Sequence, residues 1–438
     1  MTGEGGTTTA AVRGSEVGYR NYEVYQRERV GQSTPLIKPR DLRSPAFLHD
    51  PYPFLTILRE HYPCYRDWHG NAFWITRYDD VTSVFVDDAN FETRSKLWHY
   101  AMEGYGRDLR AELPVLVAQA RGIDEQAGPV AEAILAELRP RGEADLALEV
   151  AARFPVELLT RVLELPPGDV GDFARRYWAM QRGIHSEPVA EEAGRAAIAE
   201  LTAYLAPLVE ARRADPGDDL VSAIATLELD SGPATAEDVV VTLLEGDHET
   251  LHGSLANLWY LLLGDRQQMD LITGERRMVK LAYLEALRHS SPVLAAHRYA
   301  RHEVERFGRL LPKGAQVICS AGAANRDPRA FPDDPDAFIV QRKDLCQREP
   351  RGQYRADGLP TGIAFGLGPP SKHPALPEDR PRSRYAICRD TAVTVTNLVL
   401  DALPGLTLAP GASPTLRSLR VGEMHTCWHL PVTFEPSG

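Results

Sequence analysis

Residues 245–252 read Glu-Gly-Asp-His-Glu-Thr-Leu-His, two turns of apolar-flanked chain carrying five ionisable side chains that could do chemistry. His248-Glu249-x-x-His252 is the spacing that sets two imidazoles on one helix face for a metal, with the glutamate as general base. Glu-x-x-His occurs twice, at Glu245/His248 and Glu249/His252, the spacing of carboxylate-bridged metal sites in helical proteins. At about 100° per residue, Glu245, His248, Glu249 and His252 fall within an arc of about 100°. Such groups are costly inside a core unless they are paired or metal-bound. Burial would raise the pKa of Glu245 and suit it to proton transfer. The alternative is a buried face whose histidines and carboxylates bond one another.

The element that must present this segment is a long helix, predicted over residues 236–263, inside a body of Ala/Leu/Glu-rich helical text from about 107 to 263. Further helices are predicted at 51–60, 130–138, 156–163 and 196–205, and strands at 72–78, 316–320 and 426–434. The expected fold class is mostly α with a small β lobe. A disordered tail over residues 1–20 and one domain over 21–438 are expected, since neither a repeat nor a linker divides the body.

With 438 residues, 43% of them hydrophobic, the chain can bury a large core, and its net charge of −12 offers no footprint for nucleic acid or an anionic membrane. The five cysteines, at 64, 319, 346, 388 and 427, form no CxxC pair, which fits reduced thiols in a cytoplasm. No run of 18 apolar residues occurs. The expected partner is a hydrophobic small molecule, with a protein of the same pathway as a second.

Other segments carry a resemblance. Glu285-Ala-Leu-Arg288 is followed by Pro292-Val293, His297-Arg298-Tyr299-Ala300, Leu311-Pro-Lys-Gly314 and the run Ala323 to Asp333 containing Asn325-Arg326-Asp327. In this order they resemble the C-terminal half of a cytochrome P450, the thiolate-haem monooxygenase family. Leu243 to Thr250 resembles that family's oxygen-activating helix, and Asp50-Pro-Tyr-Pro53 and Leu403-Pro-Gly-Leu-Thr-Leu-Ala-Pro410 resemble its flanking text. The resemblance implies a P450-like fold from about residue 45 onward. It implies a structural ion-pair network of Glu285, Arg288 and Arg326, an Arg298 that pairs with a haem propionate, and a Glu249–Thr250 pair that delivers protons. It also makes His297, with His99 next, the third ligand if His248 and His252 bind a metal.

The family's cofactor loop, Phe-Gly-x-Gly-x-His/Arg-x-Cys-x-Gly, counts from Phe365 to place Pro370 at the propionate-binding position and Lys372 at the thiolate. A lysine amine cannot supply the soft sulfur donor, and no aromatic-and-arginine clamp is recognisable around Arg110. The expectation is therefore a chain that does not bind haem through cysteine. It would be a repurposed biosynthetic enzyme using Glu245, Glu249 and Thr250 for acid–base work, or a non-haem metal. Two alternatives stay open: an auxiliary partner of an enzyme such as a glycosyltransferase, and a haem-dependent monooxygenase with an atypical axial ligand, His373 or Cys388.

Overall fold

The computed structural model describes residues 34–184, 188–246, 248–347, 359–364, 383–418 and 424–437, and the side chains of His248 and Glu249 are outside that description. The expected tail at 1–20 also lies outside it. The main helices are α1 (Tyr52–His61), α2 (Tyr78–Phe85), α3 (Leu113–Leu138), α4 (Phe154–Val162), α5 (Val170–Arg182), α6 (Pro188–Ala214), α7 (Leu220–Ala225), α8 (Ala236–Leu244), α9 (His248–Gly264), α10 (Arg266–Gly274), α11 (Met278–His289) and α12 (Arg384–Ala402). Five strands, β1 (Cys64–Asp67), β2 (Ala72–Ile75), β3 (Phe91–Glu92), β4 (Ala296–Ala300) and β5 (Gln316–Cys319), form one sheet in the order β1-β2-β5-β4-β3. The fold is mostly α with small sheets. No helix among the described residues is long and apolar enough to cross a membrane.

The chain groups into two compact units. The first comprises residues 1–93, 256–374 and 413–428 and holds the five-stranded sheet. β2 is buried on both faces: Phe73 stands opposite Arg66 and Val317, Trp74 opposite Tyr65 and Ile318. Trp74, Phe47, Leu55, Leu58, Tyr62 and Tyr65 close into one buried cluster. The fully buried Asp67 carboxylate is offset by Arg43 at 2.8 Å.

The second unit, residues 94–255, 375–412 and 429–438, is a helical body. In it α3 packs on α4 and α12, and α5 packs on α6. Tyr100 fixes the entry to this body: its hydroxyl donates to Met180 O, and it sits where a Cβ on either Gly183 or Gly194 would land. Those two glycines are therefore dictated by close approach. At the start of α8, Thr235 and Asp238 form a capping box. Asp238 also takes Nη2 of Arg107 at 2.6 Å and the Arg107 amide at 2.6 Å, which ties the preceding loop to α8.

Candidate active site

The long helix is interrupted where its chemistry is densest. α8 stops at Leu244, Glu245 is its C-cap with ψ 2°, and α9 begins at His248. Gly-Asp is poor helical text, and a Cβ on Gly246 would stand 2.9 Å from Leu243 O. In a continuous helix the carbonyls of Leu244 and Glu245 would accept from the amides of residues 248 and 249. Here side chains take over. Gln181 of α5 donates Nε2 to Leu244 O at 2.9 Å, while Arg110 Nη1 and Arg384 Nη2, the latter at 3.3 Å, donate to Glu245 O. Three elements thus satisfy the end of α8, so the interruption is a built feature.

The Glu245 carboxylate turns back from this end. Its Oε1 accepts from the Lys96 amide, and its Oε2 lies 3.7 Å from Arg110, which is itself paired with Asp108 at 2.7 Å. Lys96 Nζ reaches Gln181 Oε1 at 3.0 Å. Burial is the largest influence on Glu245 and pushes its carboxyl above the ordinary glutamate range, with Lys96 and Arg110 opposing it. Thr250 is buried in the first turn of α9. Glu245 and Thr250 therefore stand on opposite sides of a break. The expectation that Glu245 shares one stripe of a continuous helix with His248, Glu249 and His252 fails, because α8 ends at Leu244 and α9 begins at His248.

Of the residues expected to bind a metal, His248 has its side chain outside the described residues. His252 is buried, its ring edge-on to Trp178 with centroids 6.2 Å apart, and burial drives its pKa down to about 4, so it is neutral. His297 lies on β4 in the other unit, bonded through Nδ1 to Gln316 at 3.2 Å. His99 packs edge-on to Trp98. Among the described residues, no group of three or more His, Cys, Asp or Glu could hold a metal ion.

A cavity of about 100 Å³ lies in the second unit beside the interruption. Leu158, Leu243, Leu251 and Ile387 give it apolar walls, and Arg384 and Cys388 of α12 border it. Counting along the sequence puts Cys388 in the second turn of that helix, away from the ligand position. The helix begins at Arg384, and the half-buried Cys388 lines the cavity that Gly246 also lines. Residues 365–382, with Lys372 and His373, lie outside the described residues.

In the first unit, Arg298 is a half-buried cation on β4. Its Nη1 donates to His297 O at 2.9 Å and its guanidinium lies 4.7 Å over the Phe85 ring, with no carboxylate among the described residues taking it. Burial lowers its pKa. An incoming carboxylate is the partner such a group lacks, so this residue fits a haem propionate. The expected ion-pair network is present with one change of membership. Glu285 and Arg288 are fully buried and joined at 2.7 and 2.8 Å, but the third member is Arg342, 3.1 Å from Glu285. Arg326 instead pairs with Asp336 at 3.3 Å and lies over Tyr52.

Residues 264–351 match the family described as Cytochrome P450. Over 391 residues the chain is 27% identical to the pulcherriminic acid synthase of Bacillus subtilis, covering 85% of this chain and 93% of that one. It is 29% identical to the 6-deoxyerythronolide B hydroxylase of Saccharopolyspora erythraea, covering 75% and 87%, and 27% identical to the cytochrome P450 monooxygenase PikC of Streptomyces venezuelae, covering 85% and 90%. Among solved structures, CalO2 matches with a TM-score of 0.71 at 24% identity, covering 92% of this chain and 100% of that one. P450BioI, solved in complex with an acyl carrier protein bearing a hexadecenoic acid, also gives 0.71, at 21% identity and 89% and 100% coverage.

These relatives overturn the expectation of a haem-free, repurposed acid–base or non-haem metal enzyme lacking a cysteine ligand. Proteins alike along three-quarters or more of this chain carry the names of a P450 monooxygenase, a hydroxylase and a synthase. The substitution at Lys372 is a single position, whereas the likeness extends over most of the chain. The family-model match, the relatives and the shared architecture converge: the chain belongs to the cytochrome P450 superfamily.

Proposed function

We propose that this protein is a haem-dependent monooxygenase of a hydrophobic small molecule, with an axial ligand drawn from His373 or Cys388 instead of the usual loop position. The observation that carries it is Arg298, a half-buried guanidinium with no carboxylate partner among the described residues, in a chain whose relatives are named as P450 oxygenases. Bound haem would supply oxygen activation, which no side chain of this protein can provide. Arg298 would hold a propionate. Glu245, whose carboxyl burial pushes above the ordinary glutamate range, is suited to proton transfer, and the buried Thr250 hydroxyl, with Glu249, is suited to pass protons on. The apolar lining beside the interruption supports a hydrophobic substrate. A carrier-bound substrate is a second mode of delivery, supported by the P450BioI complex.

The test is an absorbance spectrum after expression with haem precursor or reconstitution with hemin. One Soret-absorbing haem per chain is the expected result, and its absence under both conditions overturns the proposal. In the ferrous–CO spectrum, a thiolate-type band lost in Cys388→Ala identifies the sulfur. An imidazole-type band lost in His373→Ala identifies the histidine.

A further inference from the structure

We infer that the cavity beside the helix interruption is a selectivity pocket for a compact, neutral apolar group, an alkyl or aryl end of the ligand, with its size set by Leu158 and Val162 of α4 and Leu251 of α9. This rests on the reading of the substrate as a hydrophobic small molecule and is independent of how haem is held. Every described residue of the wall lies in the second unit. Leu158 and Val162 stand four residues apart on one face of α4, and α8 contributes Leu243, α9 Leu251 and α12 Ile387. Four helices thus bring aliphatic side chains to one space.

The polar atoms beside this space already have partners inside the protein. The interruption frees the carbonyls at the end of α8, and each is taken: Leu243 O accepts from the Gly246 amide at 3.0 Å, Leu244 O from Gln181 at 2.9 Å, and Glu245 O from Arg110 and Arg384. Thr242 Oγ1, of another wall residue, accepts from the Leu109 amide at 3.2 Å. A polar guest would give up its bonds to water and find these groups engaged, which costs free energy, whereas an apolar guest gives up no such bonds. Gly246 keeps the space open. A Cβ there would stand 2.9 Å from Leu243 O and 3.6 Å from the Tyr177 hydroxyl, between residues that line the cavity.

Size narrows the class further. A cavity on the order of 150 Å³ with an apolar lining takes a benzene ring, so this one, at about 100 Å³, takes a short or branched alkyl chain or the edge of a larger ring. One methylene that fits strengthens binding about fourfold. One that does not fit forces packed side chains out of their rotamers. The pocket therefore discriminates between ligands that differ by a single carbon.

The experiment titrates the full chain with the neutral series 1-butanol to 1-octanol, whose alkyl ends are the guest, and with hexanoate, followed by calorimetry, for wild type, Leu158→Phe and Val162→Ala. In wild type, affinity rises about fourfold per added methylene and levels off once the chain outgrows the cavity. Leu158→Phe fills the space and weakens 1-hexanol about tenfold, the equivalent of roughly two methylenes. Val162→Ala widens the space and moves the plateau to a longer alcohol, and it keeps the test decisive should the larger ring unfold the protein. A flat series in wild type, or a plateau unmoved in Val162→Ala, overturns the pocket. Hexanoate bound more tightly than 1-hexanol overturns the neutral class. A hemin titration followed by absorbance keeps the two readings apart. Hemin bound with a flat alcohol series overturns the pocket and leaves haem dependence standing, and alcohols bound without hemin do the reverse.

Discussion

His252 gives the sharpest test of the protein's interior. Its imidazole is 2% exposed, and burial lowers its pKa from 6.5 to about 4. Between these values the unfolded chain binds a proton that the folded chain refuses, so stability is complete above pH 6.5 and falls as the pH drops toward 4. Over the whole window the loss is about 3 kcal/mol, and between pH 7.5 and 5.0 it is about 2 kcal/mol. The assay is urea unfolding at both pH values for wild type and His252→Leu, which keeps an apolar group against Trp178 and cannot titrate. His425, lowered to about 3, and His289, also held down chiefly by burial, titrate in both proteins and cancel in the comparison. Wild type should lose about 2 kcal/mol more than the variant on acidification. Equal losses would refute the claim that a neutral, buried His252 opposes folding in acid.

Glu285→Gln leaves Arg288 and Arg342 as buried cations facing an amide, and should cost about 3–5 kcal/mol in urea unfolding at neutral pH. Arg326→Gln, on the half-exposed pair with Asp336, should cost clearly less, and equal costs would return Arg326 to the central network. Arg107→Ala removes the bonds to Asp238 and to the carbonyls of Gly232 and Pro233, and a loss of about 1.5–3 kcal/mol is expected by the same measurement.

The sequence spoke clearly where one period governs one element. The apolar spacing of 156–163 and 196–205 marks helices that the structure confirms in α4 and α6, and the bulky run in 72–75 marks β2. It spoke less clearly where partners are distant. Nothing local to Gln181 or Arg384 says that either will cap α8, since the bonds span 63 and 139 positions. The sequence does not distinguish Arg342 from Arg326, because reach to Glu285 depends on how the loop after Asn325 folds. The helix interruption was masked by continuity of apolar residues on both sides of Gly246. The substitution at Lys372 is visible in one dimension, but the position of Cys388 beside a cavity is visible only in three.

The capped end of α8 also bears on how this chain reaches its native state. Its terminal carbonyls are satisfied by groups from α5, from the loop before α3 and from α12, and the last of these lies 139 residues downstream. Contacts of such separation come at a high cost in loop-closure entropy and slow the reactions that depend on them. During synthesis, α8 would emerge with its end open to water long before α12 exists. The stretch around Gly246 is then among the last to lock, and nascent chains stopped short of Arg384 should be nicked there by protease while the packed α5–α6 pair resists.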